Sequence, residues 1–261
     1  MLRVILAIFL GLIGIAPAAA ALKTQTVAYS YGGKTFKGYL AYDDSFSGKR
    51  PGVLVVHEFW GLNDYARSRA DQLAKLGFVA FAADMFGDGK AFEHPEEASA
   101  MADAVRSNLA EWVGRAQAAL KVLQDHPNVD SSKLAAIGYC FGGATVLQLA
   151  YSGADLKAAV TFHGALPLPP TTKSIKGKIL ILHGGDDTHV TPEALQALKA
   201  KLDEGKVDYR VVVYPGAVHS FTVPGAEKRG MKGIAYNAEA DRKSWDEMLK
   251  LFQGVFGTPK K

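Results

Sequence analysis

Six short, almost uninterrupted apolar runs restrict the fold of this chain more than any other feature: Gly52 to Val56, Phe78 to Ala83, Leu134 to Tyr139, Ala158 to Phe162, Ile179 to Leu182 and Tyr209 to Tyr214. Most lack the polar alternation of a half-exposed strand, so they suit strands covered on both faces, as inside a parallel sheet. Longer stretches with helical spacing lie between them: Asp64 to Lys75, Pro95 to Gln124, Gly142 to Tyr151, Pro192 to Glu204 and Asn237 to Val255. This alternation predicts an α/β fold, a doubly wound and mostly parallel central sheet with helices on both faces. Ahead of it, Val27 to Tyr31 and Phe36 to Tyr42 flank Gly32-Gly33, which predicts an antiparallel hairpin at one sheet edge. Handed crossovers bring the strand C-termini to one rim, so functional residues are expected just after the strands.

With 261 residues, 48% of them hydrophobic, and no internal repeat or Pro- or Ser-rich linker, the chain is expected to form one domain over residues 23–261. Residues 1–20 read differently. Arg3, the uncharged run Val4 to Ala16, and Pro17 followed by four alanines have the form of a cleavable signal peptide, too short for a spanning helix. An exported protein, periplasmic or secreted, with no stable membrane insertion after cleavage is expected. The net charge of +4 comes from basic residues scattered along the chain, so nucleic acid is not expected as a partner. The single Cys allows no internal disulfide, although export leads to an oxidising compartment. That thiol needs another reason to be present.

Its surroundings supply one. Gly138-Tyr139-Cys140-Phe141-Gly142 is a G-x-C-x-G pentapeptide between a predicted strand and a predicted helix, the setting of a nucleophile elbow. The flanking glycines suit a turn too tight for a Cβ, and a thiol at a helix N-terminus is favoured as thiolate. In this chain order an acid and then a His should follow. Ile179 to Leu182 leads into Asp186-Asp187, and Tyr209 to Tyr214 leads into His219. His219 would take the thiol proton while the acid fixes the imidazole tautomer. Asp187 is preferred because Asp-x-x-Val lets Val190 pack inward; Asp186 is expected to serve the turn. No ligand-spacing motif points to a metal, and no cofactor is expected.

The mature chain, from about Thr26 to Phe252, resembles the dienelactone hydrolase family of α/β-hydrolases. The resemblance rests on Gly138-Tyr139-Cys140-Phe141-Gly142-Gly143, on His57-Glu58-Phe59-Trp60-Gly61-Leu62-Asn63 and on His219-Ser220-Phe221. It implies an α/β-hydrolase fold and a cofactor-free Cys140-His219-Asp187 triad acting on a small-molecule ester or lactone. It also implies that Glu58 contacts the resting thiol and swings away when substrate binds. By position, the backbone N–H groups of Phe59 and Phe141 are expected to form the oxyanion hole, and their rings, with those of Trp60, Phe86 and Phe221, to line an apolar pocket. A monomer is expected.

The chain departs from the family where a substrate carboxylate is usually held by arginines: those places carry Val223 and Ala98. A neutral ester or lactone therefore fits better, unless Lys228, Arg229 or Lys232 supplies the charge from the loop 222–234, which reads equally as a lid or a solvated surface loop. Two other readings keep the fold: a non-catalytic binder or thiol redox sensor using Cys140, and an acyltransferase.

Overall fold

The computed structural model describes residues 22–259; the leader read in the sequence lies outside the described residues. Eight strands form one sheet in the order β1-β2-β4-β3-β5-β6-β7-β8. The strands are β1 (Leu22–Tyr31), β2 (Lys34–Asp43), β3 (Arg50–Val56), β4 (Val79–Ala83), β5 (Val129–Tyr139), β6 (Ala158–Phe162), β7 (Lys178–Gly184) and β8 (Tyr209–Tyr214). The hairpin β1–β2 turns through Gly32 and Gly33, both at positive φ as a tight two-residue turn requires, and joins β4 antiparallel. From β4 to β8 all pairing is parallel.

Alternation along β3 shows how the sheet is covered. Leu54 and Val56 join a core on one face with Trp112, Leu120, Leu123 and Val146, while Val53 and Val55 join a core on the other with Leu73, Met248 and Phe252. Helices α1 (Asp64–Lys75) and α6 (Ala238–Phe256) thus cover one face, and α3 (Leu109–Asp125) and α4 (Phe141–Tyr151) the other. Helix α5 (Pro192–Glu204) packs Leu195, Leu198 and Leu202 under β7 in a third cluster. Among the described residues no helix is long and apolar enough to cross a membrane.

One expected element is two. The helix predicted from Pro95 to Gln124 breaks after α2 (Pro95–Arg106). The apolar spacing runs on, but Asn108 leaves helical geometry (φ −124°, ψ 97°) and its side-chain oxygen accepts the Glu111 N–H at 3.1 Å, capping a new helix. Strand β5 also starts earlier than its apolar run, at Val129, where Arg50 of β3 pairs with it.

Candidate active site

Because β3 and β5 to β8 run parallel, their C-terminal ends deliver Glu58, Cys140, His163, Asp187 and His219 to one rim of the sheet. Cys140 forms the turn between β5 and α4 at φ 52° and ψ −112°, a strained conformation for a residue with a side chain. The turn closes only because its flanks are bare. A Cβ on Gly138 would lie 2.0 Å from the Gly142 carbonyl oxygen, and one on Gly142 would lie 2.2 Å from that of Val56. Cys140 N–H donates to the Phe162 carbonyl at 3.0 Å, which ties the turn to the neighbouring strand.

His219 Nδ1 lies 2.8 Å from Asp187 Oδ2. The other carboxylate oxygen of Asp187 accepts the backbone N–H groups of His189 (2.8 Å) and Val190 (3.3 Å). Val190 is buried, while the exposed Asp186 reaches only the Gly216 N–H at 3.4 Å across a turn. Burial resists charge on Asp187, but the bond and charge of His219 outweigh it and hold the carboxyl below its usual range. Burial likewise pulls His219 down, yet the negative charge of Cys140 and the bond to Asp187 prevail and raise the imidazole well above its ordinary value. The arrangement therefore favours a protonated His219 imidazole beside the Asp187 carboxylate.

Glu58 is buried, and its carboxyl accepts the Ser220 hydroxyl at 2.6 Å. The sequence predicts contact with the resting thiol; the hydrogen bond that Glu58 makes among the described residues comes from Ser220, turned at φ 56°. Burial raises this carboxyl above its ordinary range, against the pull of Ser220 and the charges of His219 and Arg229. The preceding His57 is also buried, and burial pushes it down to about 4. In its neutral form Nδ1–H donates to the Glu58 carbonyl (2.5 Å) and Nε2 accepts the Met85 N–H (3.2 Å), which pins the loop that carries Phe59. Phe141 opens α4, where the first N–H groups lack intrahelical acceptors.

A cavity of about 480 Å³ opens beside Cys140 and His219. Trp112, Phe141, Ala144, Ala165, Leu166, Pro167, Val190, His189 and Arg106 line it with them. Trp60, Phe86 and Phe221, which the sequence places in the pocket, do not line it. Phe221 is fully buried in the core, Phe86 packs on His57 and Phe141, and Trp60 lies under the Arg229 guanidinium at 3.8 Å from its ring centroid. Post-strand position alone brought these rings to the rim but not to the cavity side. Arg106 was not foreseen: it reaches the cavity because α2 stops there, a break the apolar spacing hides. Ala98, which stands at the place of a family arginine, is buried in α2, and Arg229 and the two lysines of its loop are absent from the lining. Among the described residues no group of three or more His, Cys, Asp or Glu side chains converges to hold a metal ion.

Comparison with known proteins gives one consistent picture. The sequence profile described as "Dienelactone hydrolase family" matches residues 36–256. A protein of Synechocystis named "Putative carboxymethylenebutenolidase" is 31% identical over 252 residues, covering 89% of this chain and 97% of its own. A solved dienelactone hydrolase-like promiscuous phosphotriesterase from metagenomic libraries is 44% identical at a TM-score of 0.87, covering 91% of this chain and 100% of that one. The solved structure of m3DLH is 42% identical, also at a TM-score of 0.87, and covers 90% of this chain and 99% of that one.

Proposed function

This chain belongs to the dienelactone hydrolase family of α/β-hydrolases, enzymes acting on lactones or esters, and from that premise we propose that it cleaves small esters or lactones through a thioester formed on Cys140. The observation that carries the reading is the 2.8 Å contact of His219 Nδ1 with Asp187, in a cavity that Cys140 and His219 both line. The thiolate adds to the ester carbonyl, and the oxyanion is met by the Phe59 and Phe141 N–H groups. The C–O bond then breaks, and His219 gives its proton to the leaving alkoxide. Water, losing a proton to His219, attacks the thioester and releases the acid and the thiolate.

A neutral substrate suits this cavity. Its walls are largely apolar, and the Arg106 guanidinium is balanced by Asp103, which accepts from it at 3.1 Å. The promiscuous relative named for phosphotriesters, which carry no charge, supports the same reading. The enzyme is exported, its leader being residues 1–20, so it works on substrates outside the cytoplasm.

Turnover of a short-chain aryl ester by purified variants tests the assignment. Cys140→Ala should fall to background and Asp187→Asn by about 10²- to 10⁴-fold, whereas Asp186→Asn should stay within about twofold of the parent. Activity retained by Cys140→Ala would refute the mechanism.

A further inference from the structure

Most polar groups on the cavity wall are committed. Trp112 Nε1 donates to Thr145 Oγ1 at 2.8 Å. Arg106 donates to Asp103 at 3.1 Å, its guanidinium 5.5 Å from the centroid of the Phe141 ring. Cys140 and His219 are taken up by the proposed chemistry. Among the described lining residues the remaining polar side chain is His189, exposed, with its ring centroid 4.9 Å from that of His219.

His189 is fixed at both ends. Its backbone N–H donates to Asp187 Oδ1 at 2.8 Å, and its ring Nε2 lies 3.3 Å from the Lys232 carbonyl oxygen. A carbonyl oxygen only accepts, so Nε2 carries the hydrogen; in the neutral ring Nδ1 is left with a lone pair and no donor among the described residues. The segment that sets this tautomer also clamps the base. The Gly233 carbonyl accepts His219 N–H at 3.2 Å, and the His219 carbonyl accepts Ala235 N–H at 3.2 Å. Gly233 sits at φ 78°, and a Cβ there would fall 2.8 Å from Thr188 Oγ1 and 3.4 Å from His189 Nε2, so the close passage depends on glycine.

When the C–O bond breaks, the leaving oxygen takes its proton from His219 and must therefore lie beside that ring, where His189 also stands on the cavity wall. Resting on the hydrolase reading above, we infer that His189 determines specificity: its Nδ1 accepts a hydrogen bond from a hydroxyl on the alcohol half of the substrate, next to the ester oxygen. The substrate class is then esters of polyhydric alcohols or hydroxylated lactones rather than of simple alkyl alcohols. Because His189 is exposed, water meets Nδ1 when the hydroxyl is missing, so the discrimination expected is that of one net hydrogen bond.

Ethylene glycol monobutyrate and n-propyl butyrate differ in one hydroxyl at nearly equal size. The parent enzyme should favour the glycol ester in kcat/KM by about threefold to tenfold, and His189→Leu should bring the ratio to about one, mainly through KM. His189→Asn, whose side-chain carbonyl keeps an acceptor, should restore most of the preference. Because a ratio is read, any general loss from movement of the Asp187 loop cancels. A parent ratio near one, or a preference unchanged in His189→Leu, overturns the inference while leaving the hydrolase reading intact if both esters are cleaved. If the parent cleaves neither ester and neither acylates Cys140, the hydrolase reading falls and the inference with it.

Discussion

At the residue scale the site is a set of charges placed by burial. Cys140 has a positive φ that costs on the order of 1–3 kcal/mol, and the structure holds it there by packing three glycines around the turn. Cys140, Asp187 and His219 each follow an apolar run in the sequence, and the structure brings Asp187 and His219 together with Val190 buried behind them. The partner of Glu58 was not legible. It depends on the positive φ of Ser220, and nothing local to His219-Ser220-Phe221 announces that turn. Glu58 also gives a pH test. Its carboxyl lies above its ordinary value in the folded chain, with burial as the main cause. Such a group adds stability below its unfolded value, where it is protonated in both states, and loses that contribution as pH rises through the folded value. Glu58→Gln keeps an acceptor for Ser220 and cannot ionise. Its thermal midpoint relative to the parent should therefore rise between pH 4 and pH 8; calorimetry showing a difference independent of pH would contradict this.

At the element scale the strands and their order of function were legible, since continuous apolar runs fix buried parallel strands and the rim follows from their handed connection. What spacing did not show was where a helix stops. The break at Asn108 is a capping event inside an unbroken apolar pattern, and it moves Arg106 to the cavity. A second hidden feature is the polar tie behind the base. From α1, the buried Arg69 donates to the Thr222 carbonyl at 2.9 Å and to Asp241 of α6 at 2.5 Å. Its Nε donates to Tyr65 Oη at 3.2 Å; Tyr65 is in turn 2.6 Å from Thr222 Oγ1, and that hydroxyl is 2.8 Å from His163 Nε2. His163 is buried and packs at 5.3 Å against the His219 ring. Three elements and the segment just after the base thus share one network. Removing one member of a buried pair leaves its partner uncompensated. Arg69→Met should cost about 3 kcal/mol in chemical denaturation, and Arg69→Met with Asp241→Leu should cost less than Arg69→Met alone. Equal or greater loss in the double variant would show that the pair does not act as one unit.

At the scale of the whole molecule, the sheet from β1 to β8 and the family are both readable in the sequence, because alternation of strand and helix together with a cysteine elbow is a specific combination. The shape of the cavity was not, since it depends on which side of each rim residue faces open space. The proposed export predicts that the full-length chain, produced in a bacterial host with a working secretion system, is recovered outside the cytoplasm shortened by about 20 residues. Intact mass measurement decides this, and a chain that keeps Met1 would contradict it. The central claim is that the acyl group passes through one sulfur, and trapping shows this most directly. The mature protein is mixed with a short-chain aryl ester, quenched in acid during turnover, and its peptides are mapped by mass spectrometry. The account predicts an acyl mass on the peptide bearing Cys140, removed by hydroxylamine and missing in Cys140→Ala. Turnover with Cys140 unmodified, or an acyl group found on another residue, would contradict it.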